Sequence, residues 1–174
     1  MILGIISDTH DKQATVEQAF NIFADNDVSL VIHCGDWKSV AAMEHFAGQA
    51  KKYKLPVRGV LGNNDGAINE FQAFIESSAS DFQVTEGVFE MQIGDRTLAI
   101  YHGHHAPTLK KVRATKSYDV LFLGHTHKPK IENTDSTIIV NPGSTAFSIP
   151  RSKLWQPTIA LVDTNSLQAT LHTI

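Results

Sequence analysis

One cysteine, Cys34, in a chain of 174 residues excludes an intrachain disulfide and any zinc site built on several thiolates. A reducing compartment is the natural setting for such a chain. Positive charge is also in short supply, with 15 Lys and Arg against 18 Asp and Glu and a formal net charge of -3. That balance gives no basic field for long nucleic acid or an anionic membrane surface. The clusters Lys51-Lys52-Tyr53-Lys54 and Lys110-Lys111-Val112-Arg113 read as solvated helix faces. No apolar run approaches the roughly 20 residues needed to span a bilayer. Ile2–Ile6 is too short for a signal-sequence core, has no basic residue ahead of it and meets Asp8 at once. The expectation is a cytoplasmic protein with no membrane or long nucleic-acid partner, built as a single domain over residues 1–174.

Histidine, by contrast, is plentiful: nine are present, and several fall at the ends of apolar runs. Ile2–Ile6, Val28–Ile32 and Pro56–Leu61 read as buried strands. Between them, residues 12 to 26 and 39 to 53 carry apolar side chains at helical spacing, giving a β-α-β-α-β order that argues for parallel strands with crossover helices. The second half changes character. Phe82–Thr85, Val88–Ile93 and Thr97–Tyr101 read as strands joined by turns at Glu86-Gly87 and Gly94-Asp95. A short helix over Leu109–Lys116, strands at Val120–Leu123 and Thr137–Val140, and a terminal hairpin of Thr158–Val162 with Leu167–His172 complete the reading. It predicts an α/β domain with one mainly parallel region and one mainly antiparallel region.

Five of these strands run into Asp, His or Asn: "SDTH", "HCGD", "GNND", "HGHH" and "GHTH". Ligands of open α/β sheets bind beyond the carboxyl ends of the strands, so polar residues gathered there have a reason to converge. Each motif alone has a plain explanation. Asp8 and Thr9 suit a helix start, Asn63-Asn64-Asp65-Gly66 suits a turn, and His102 to His105 suits a solvated loop. Their conjunction is harder to explain that way. The candidate ligands are Asp8, His10, Asp36, Asn63, His102, His125 and His127. Oxygen and imidazole donors without thiolate suit Mn, Fe, Ni or Zn. Seven donors exceed the need of one ion and suit two sharing a carboxylate, the arrangement that clamps both oxygens of a phosphoryl displacement at about 3.5–4 Å between metals. His125 and His127, two apart, are placed on one side of an extended segment by the strand period.

In order, Asp8-Thr9-His10, Gly35-Asp36, Gly62-Asn63-Asn64-Asp65, His102 and Gly124-His125-Thr126-His127 reproduce the motif blocks D-x-H, G-D, G-N-[HCN]-[DE], an isolated histidine and G-H-x-H. The chain resembles the calcineurin-like metallophosphoesterase family over essentially its whole length. Its size and its "NPGS" at 141–144, followed by Arg151, look like the small bacterial and archaeal phosphodiesterase branch. The resemblance implies a four-layer α-β-β-α sandwich of two mixed sheets flanked by helices. It also implies one metal on Asp8, His10, Asp36 and His127 and a second on Asp36, Asn63, His102 and His125. Manganese is the first expectation for both, with Ni, Fe or Zn as alternatives. The implied reaction is hydrolysis of a small phosphodiester by in-line attack of a metal-bridging hydroxide.

One position departs from the family. Asn64 stands where many members carry a histidine that helps protonate the leaving group. An amide can hydrogen-bond a phosphoryl oxygen but is no general acid near neutral pH. His104, two residues beyond His102, is the preferred substitute. A phosphomonoesterase, a different metal hydrolase and a non-catalytic scaffold, like the retromer subunit similar to this branch, are the competing readings. Self-association is compatible with the sequence, although no coiled-coil segment demands it.

Overall fold

A computed structural model of the chain describes residues 1–115, 117–146 and 156–174. In chain order the first half contains β1 (Ile2–Ile6), α1 (Gln13–Asp25), β2 (Val28–His33), α2 (Val40–Tyr53), β3 (Val57–Val60), α3 (Ile68–Ser77) and β4 (Phe82–Thr85). The second contains β5 (Val88–Ile93), β6 (Arg96–Tyr101), α4 (Ala106–Ala114), β7 (Val120–Leu123), β8 (Lys130–Asn133), β9 (Ile138–Asn141), β10 (Thr158–Asp163) and β11 (Gln168–Thr173). Ser39 caps α2 by accepting from the Ala42 N–H, and Lys54 closes the helix in the left-handed conformation.

Two mixed sheets result. One has six strands in the order β11-β10-β1-β2-β3-β4, and the other five in the order β5-β6-β7-β9-β8. In the first, β1 through β4 run parallel and the β10–β11 hairpin adds antiparallel to β1. In the second, β7 is parallel to both β6 and β9, while β5 and β8 are antiparallel at the edges. The second half is therefore mixed rather than mainly antiparallel. Glu86-Gly87 is not a hairpin turn either, because it carries the chain from β4 in one sheet to β5 in the other.

Strand alternation builds the layers. In β1, Leu3 and Ile5 join Leu98, Ile100, Val120 and Phe122 in an apolar layer between the sheets. Ile6 faces the other way, into a layer where Phe20, Phe23, Phe46 and Phe71 of α1, α2 and α3 cover the first sheet. Gly4 shares that outward face, and a Cβ there would lie 2.6 Å from the Phe23 ring, so glycine lets α1 sit close. Behind the second sheet, Val112 of α4 packs with Tyr101, Leu121 and Leu123. The fold is thus helices, sheet, sheet, helix.

Two elements lie outside the sequence expectation, α3 and β8. The short helix before β7 also begins earlier than Leu109, at Ala106, with Pro107 in its first turn where a missing N–H costs nothing. Lys116, at its expected end, lies outside the described residues.

Candidate metal centre

Every ligand-type side chain stands on a loop leaving the carboxyl end of a strand: Asp8 and His10 after β1, Asp36 after β2, Asn63 after β3, His102 after β6, His125 and His127 after β7. Positive φ values concentrate on these positions. Asp8 (53°), His10 (41°), Asp36 (63°), His125 (67°) and His127 (55°) all adopt them. Non-glycine residues rarely do so unless their surroundings hold them there.

The left-handed turns also change how the two histidines after β7 are arranged. They do not share one side of an extended segment, because residues 124–129 leave strand geometry altogether. His127 Nε2 reaches to 3.1 Å from Asp8 Oδ1 and 3.4 Å from His10 Nε2. His125 turns instead towards His102, ring to ring at 5.2 Å.

Asp8, His10, Asp36 and His127 offer donor atoms that all lie within 4.8 Å of one another. Asp36 joins them to a neighbouring set. Its Oδ2 is 3.6 Å from His10 Nε2, while its Oδ1 is 3.3 Å from His102 Nε2. His102 Nε2 is in turn 3.1 Å from Asn63 Oδ1. On the other side of that ring, Nδ1 donates to the Cys34 carbonyl at 2.8 Å. A carbonyl only accepts, so the neutral ring keeps its proton on Nδ1 and turns the Nε2 lone pair inward.

These residues fit a divalent metal. Asp8 Oδ1 is buried and faces the His127 Nε2 at 3.1 Å. When that ring is neutral and offers its Nε2 lone pair, two acceptors meet there, a costly state that a cation between them would relieve. The other Asp8 oxygen accepts from Ser7 Oγ and the His125 N–H. The donor set is oxygen and imidazole throughout, as hard or borderline cations prefer.

The electrostatics reflect crowding of opposite charges. Burial works against the Asp36 carboxylate, but the His102 ring, which in its charged form also donates through Nε2, and hydrogen bonds from Asn64 overcome it and hold the carboxyl well below the usual range. Burial likewise opposes a charged His102, yet Asp36 and Asp8 raise its value. Contact with Asp8 raises His127. His10, His125 and His104 are each lowered, first by burial; for His125 and His104 the neighbouring His102 adds to the effect.

Around these candidate ligands lies a brace that the sequence pattern does not signal. Buried Asp65 accepts from the backbone N–H groups of Asp36 (3.2 Å), Lys38 (2.8 Å) and Gly62 (2.7 Å), tying the β2 loop to the β3 loop. Burial pushes its carboxyl up to about 6. His33 stacks on Trp37 at 3.4 Å. Its ring also accepts from the Gly35 N–H (3.1 Å) and meets Thr9 Oγ1 (3.2 Å), linking two ligand loops. A polar residue ending an apolar strand was the only sequence signal for it.

Asn64 and His104 stand beside the donors. The Asn64 backbone N–H donates to Asp36 Oδ1 (2.9 Å) and its side-chain amide to Oδ2 (2.6 Å). The exposed His104 ring is 5.5 Å from His102 and 6.4 Å from His125. Trp37, directly after Asp36, is fully buried and donates to the Val60 carbonyl, a packing role. Ser144 donates to the Asp8 carbonyl and braces that loop. Arg151 lies outside the described residues.

The chain belongs to the calcineurin-like phosphoesterase superfamily, whose domain model matches residues 1–167. A phosphodiesterase of Methanocaldococcus jannaschii is 31% identical over 94% of this chain and 93% of its own length. Among solved structures, an archaeal phosphodiesterase superimposes over the full length of both chains with a TM-score of 0.85 at 29% identity. Vps29 of Entamoeba histolytica, solved with Zn²⁺, matches 98% of this chain and 90% of its own with a TM-score of 0.65 at 18% identity, a likeness of fold alone.

Proposed function

We propose that the chain hydrolyses phosphodiesters with two divalent cations, one on Asp8, His10, Asp36 and His127, the other on Asp36, Asn63, His102 and His125. The observation that carries this reading is Asp36, whose two carboxylate oxygens face the two imidazole sets, Oδ2 towards His10 and Oδ1 towards His102. The kinship with a named phosphodiesterase of M. jannaschii supports the diester over the monoester. Manganese is the first candidate ion, with Ni, Fe or Zn compatible with the same donors.

When bound, such cations supply Lewis acidity that polarises a phosphoryl oxygen and acidifies the attacking water. The chain's own residues prepare the place. His102 keeps its proton on Nδ1 through the Cys34 carbonyl, so Nε2 is presented as a base. Asn64 holds the Asp36 carboxylate with one hydrogen bond to each oxygen. His104, whose ring lies beside His102 and His125, would serve the departing oxygen.

Removing metal and restoring Mn²⁺, Zn²⁺, Ni²⁺ or Mg²⁺ one at a time tests the reading on bis(p-nitrophenyl) phosphate beside p-nitrophenyl phosphate. The expected result is no turnover without metal and a restored diester rate exceeding the monoester rate by about tenfold or more in kcat/KM. A faster monoester would make the chain a phosphomonoesterase. No turnover with two ions bound would point to an interaction role. His104 is tested separately. His104→Gln should slow a diester with an alkoxide leaving group by about 100-fold and one with p-nitrophenolate by less than about threefold. Equal losses would remove His104 from the departing side.

A further inference from the structure

A cleft of about 320 Å³ opens directly beside the metal centre. Two of its lining residues tie it there: Gly62 immediately precedes Asn63, and the His104 ring lies next to His102 and His125. Its far walls come from the turn between β4 and β5, the start of α3 and the first turn of α4. A phosphoryl group seated on the ligand side chains would direct one of its ester arms over His104 into this space.

We propose that the cleft is the subsite for an ester arm of the substrate, and that the arm it takes is uncharged and bears hydroxyl groups, of the size of a sugar or nucleoside. This rests on the phosphodiester reading above. The lining decides the chemistry. No lysine or arginine lines the cleft among the described residues, whereas Glu86 brings a carboxylate. A second phosphate or a carboxylate on the arm would meet the Glu86 carboxylate with no lysine or arginine to offset it.

The remaining surface is amphipathic. Leu61, 4% exposed, and the half-buried Ile68 give an apolar wall. Glu86, whose Oε1 accepts from Gln72 at 2.7 Å, and the His105 Nδ1–Thr108 Oγ1 pair at 2.9 Å give hydroxyl-bonding edges. Such a mix of apolar face and a few placed polar groups is the usual make-up of a small-molecule site. The cleft is also held in shape. Tyr101 is buried, and its hydroxyl accepts from the His105 N–H (3.1 Å) and donates to the His105 carbonyl (3.4 Å), pinning the wall that α4 begins.

The test uses four methyl phosphodiesters that differ only in the departing arm, the one His104 would serve: methyl, glyceryl, nucleosidyl and carboxymethyl, with release of that arm read by chromatography. The metal-loaded protein should prefer the glyceryl or nucleosidyl arm over methyl by about tenfold in kcat/KM, chiefly through KM, and should disfavour carboxymethyl. Which of the two neutral arms ranks higher separates a polyol source from a nucleoside source. Thr108→Trp, which fills the cleft, should shrink the neutral-arm preference to within about twofold. Glu86→Lys, on an exposed turn, should move the preference towards carboxymethyl. Binding of non-hydrolysable phosphonate analogues, measured by calorimetry, reads the same ranking without turnover. An arm-dependent affinity lost in Thr108→Trp would uphold the cleft even in a chain that hydrolyses nothing. Affinities and rates indifferent to the arm and to both variants would overturn it even in an active phosphodiesterase.

Discussion

Asp36→Asn is expected to cost at least about a thousandfold in kcat/KM, roughly 4 kcal/mol of transition-state stabilisation. The substitution keeps the shape of the side chain and removes two things at once. The first is the negative charge that lies between His10 and His102. The second is acceptor capacity. Both carboxylate oxygens accept from Asn64, Oδ1 from its backbone N–H and Oδ2 from its amide. An asparagine must turn its own NH₂ towards one of these donors, so it would break a hydrogen bond as well as the shared charge. On the two-cation proposal, the ion count per chain, read by elemental analysis, should fall from two towards one or none. Unfolding in chelator should show a folded protein, which separates lost chemistry from lost structure. Two ions and full turnover in the variant would overturn the bridging role proposed for Asp36.

The parts of this site that were legible in the sequence share one property: they follow from local pattern. The apolar runs that became β1, β2, β3, β6 and β7 end where ligand-type residues begin, and strand ends in an α/β sheet face the same side. The parts that were not legible depend on the path of the backbone after those ends. The spacing of His125 and His127 suggested a common side, and only the positive φ at both residues sends one ring to His127's partner Asp8 and the other to His102. Asp65 reads as the tail of a turn because its partners, Asp36 and Lys38, lie 29 and 27 residues away. The helix α3 was signalled after all, by Ile68, Phe71, Phe74 and Ile75 at helical spacing, but it begins directly after a turn motif that drew the reading elsewhere. Strand β8 is a short edge strand with weak alternation, burying no residue fully, and gives almost no pattern to read.

Gly62→Ala should destabilise the protein by about 3 kcal/mol, whereas Gly48→Ala should stabilise it by roughly 0.5–1 kcal/mol. The contrast is steric. Gly48 lies exposed in α2 with nothing within 4 Å of an added Cβ, so alanine only reduces the freedom of the unfolded chain. At Gly62 an added Cβ would collide with Asp36 Oδ1 and lie 2.5 Å from the Asp36 backbone nitrogen and 2.9 Å from its Cγ. No flexible side-chain end is available to move aside. The nitrogen belongs to a backbone that Asp65 ties to Gly62 itself, and the carboxylate is held by Asn64. The strain can be relieved only by parting the β2 and β3 loops, which separates Asp36 from Asn63. Urea unfolding in chelator reads the stability loss, and a change below about 0.5 kcal/mol would show that the loops yield easily. Metal affinity at low temperature, where the variant remains folded, should fall with it. Asp36→Asn weakens the same centre with the loops in place. If only the glycine variant loses stability while both lose metal, the close approach of these two loops is what sets the spacing of the donors.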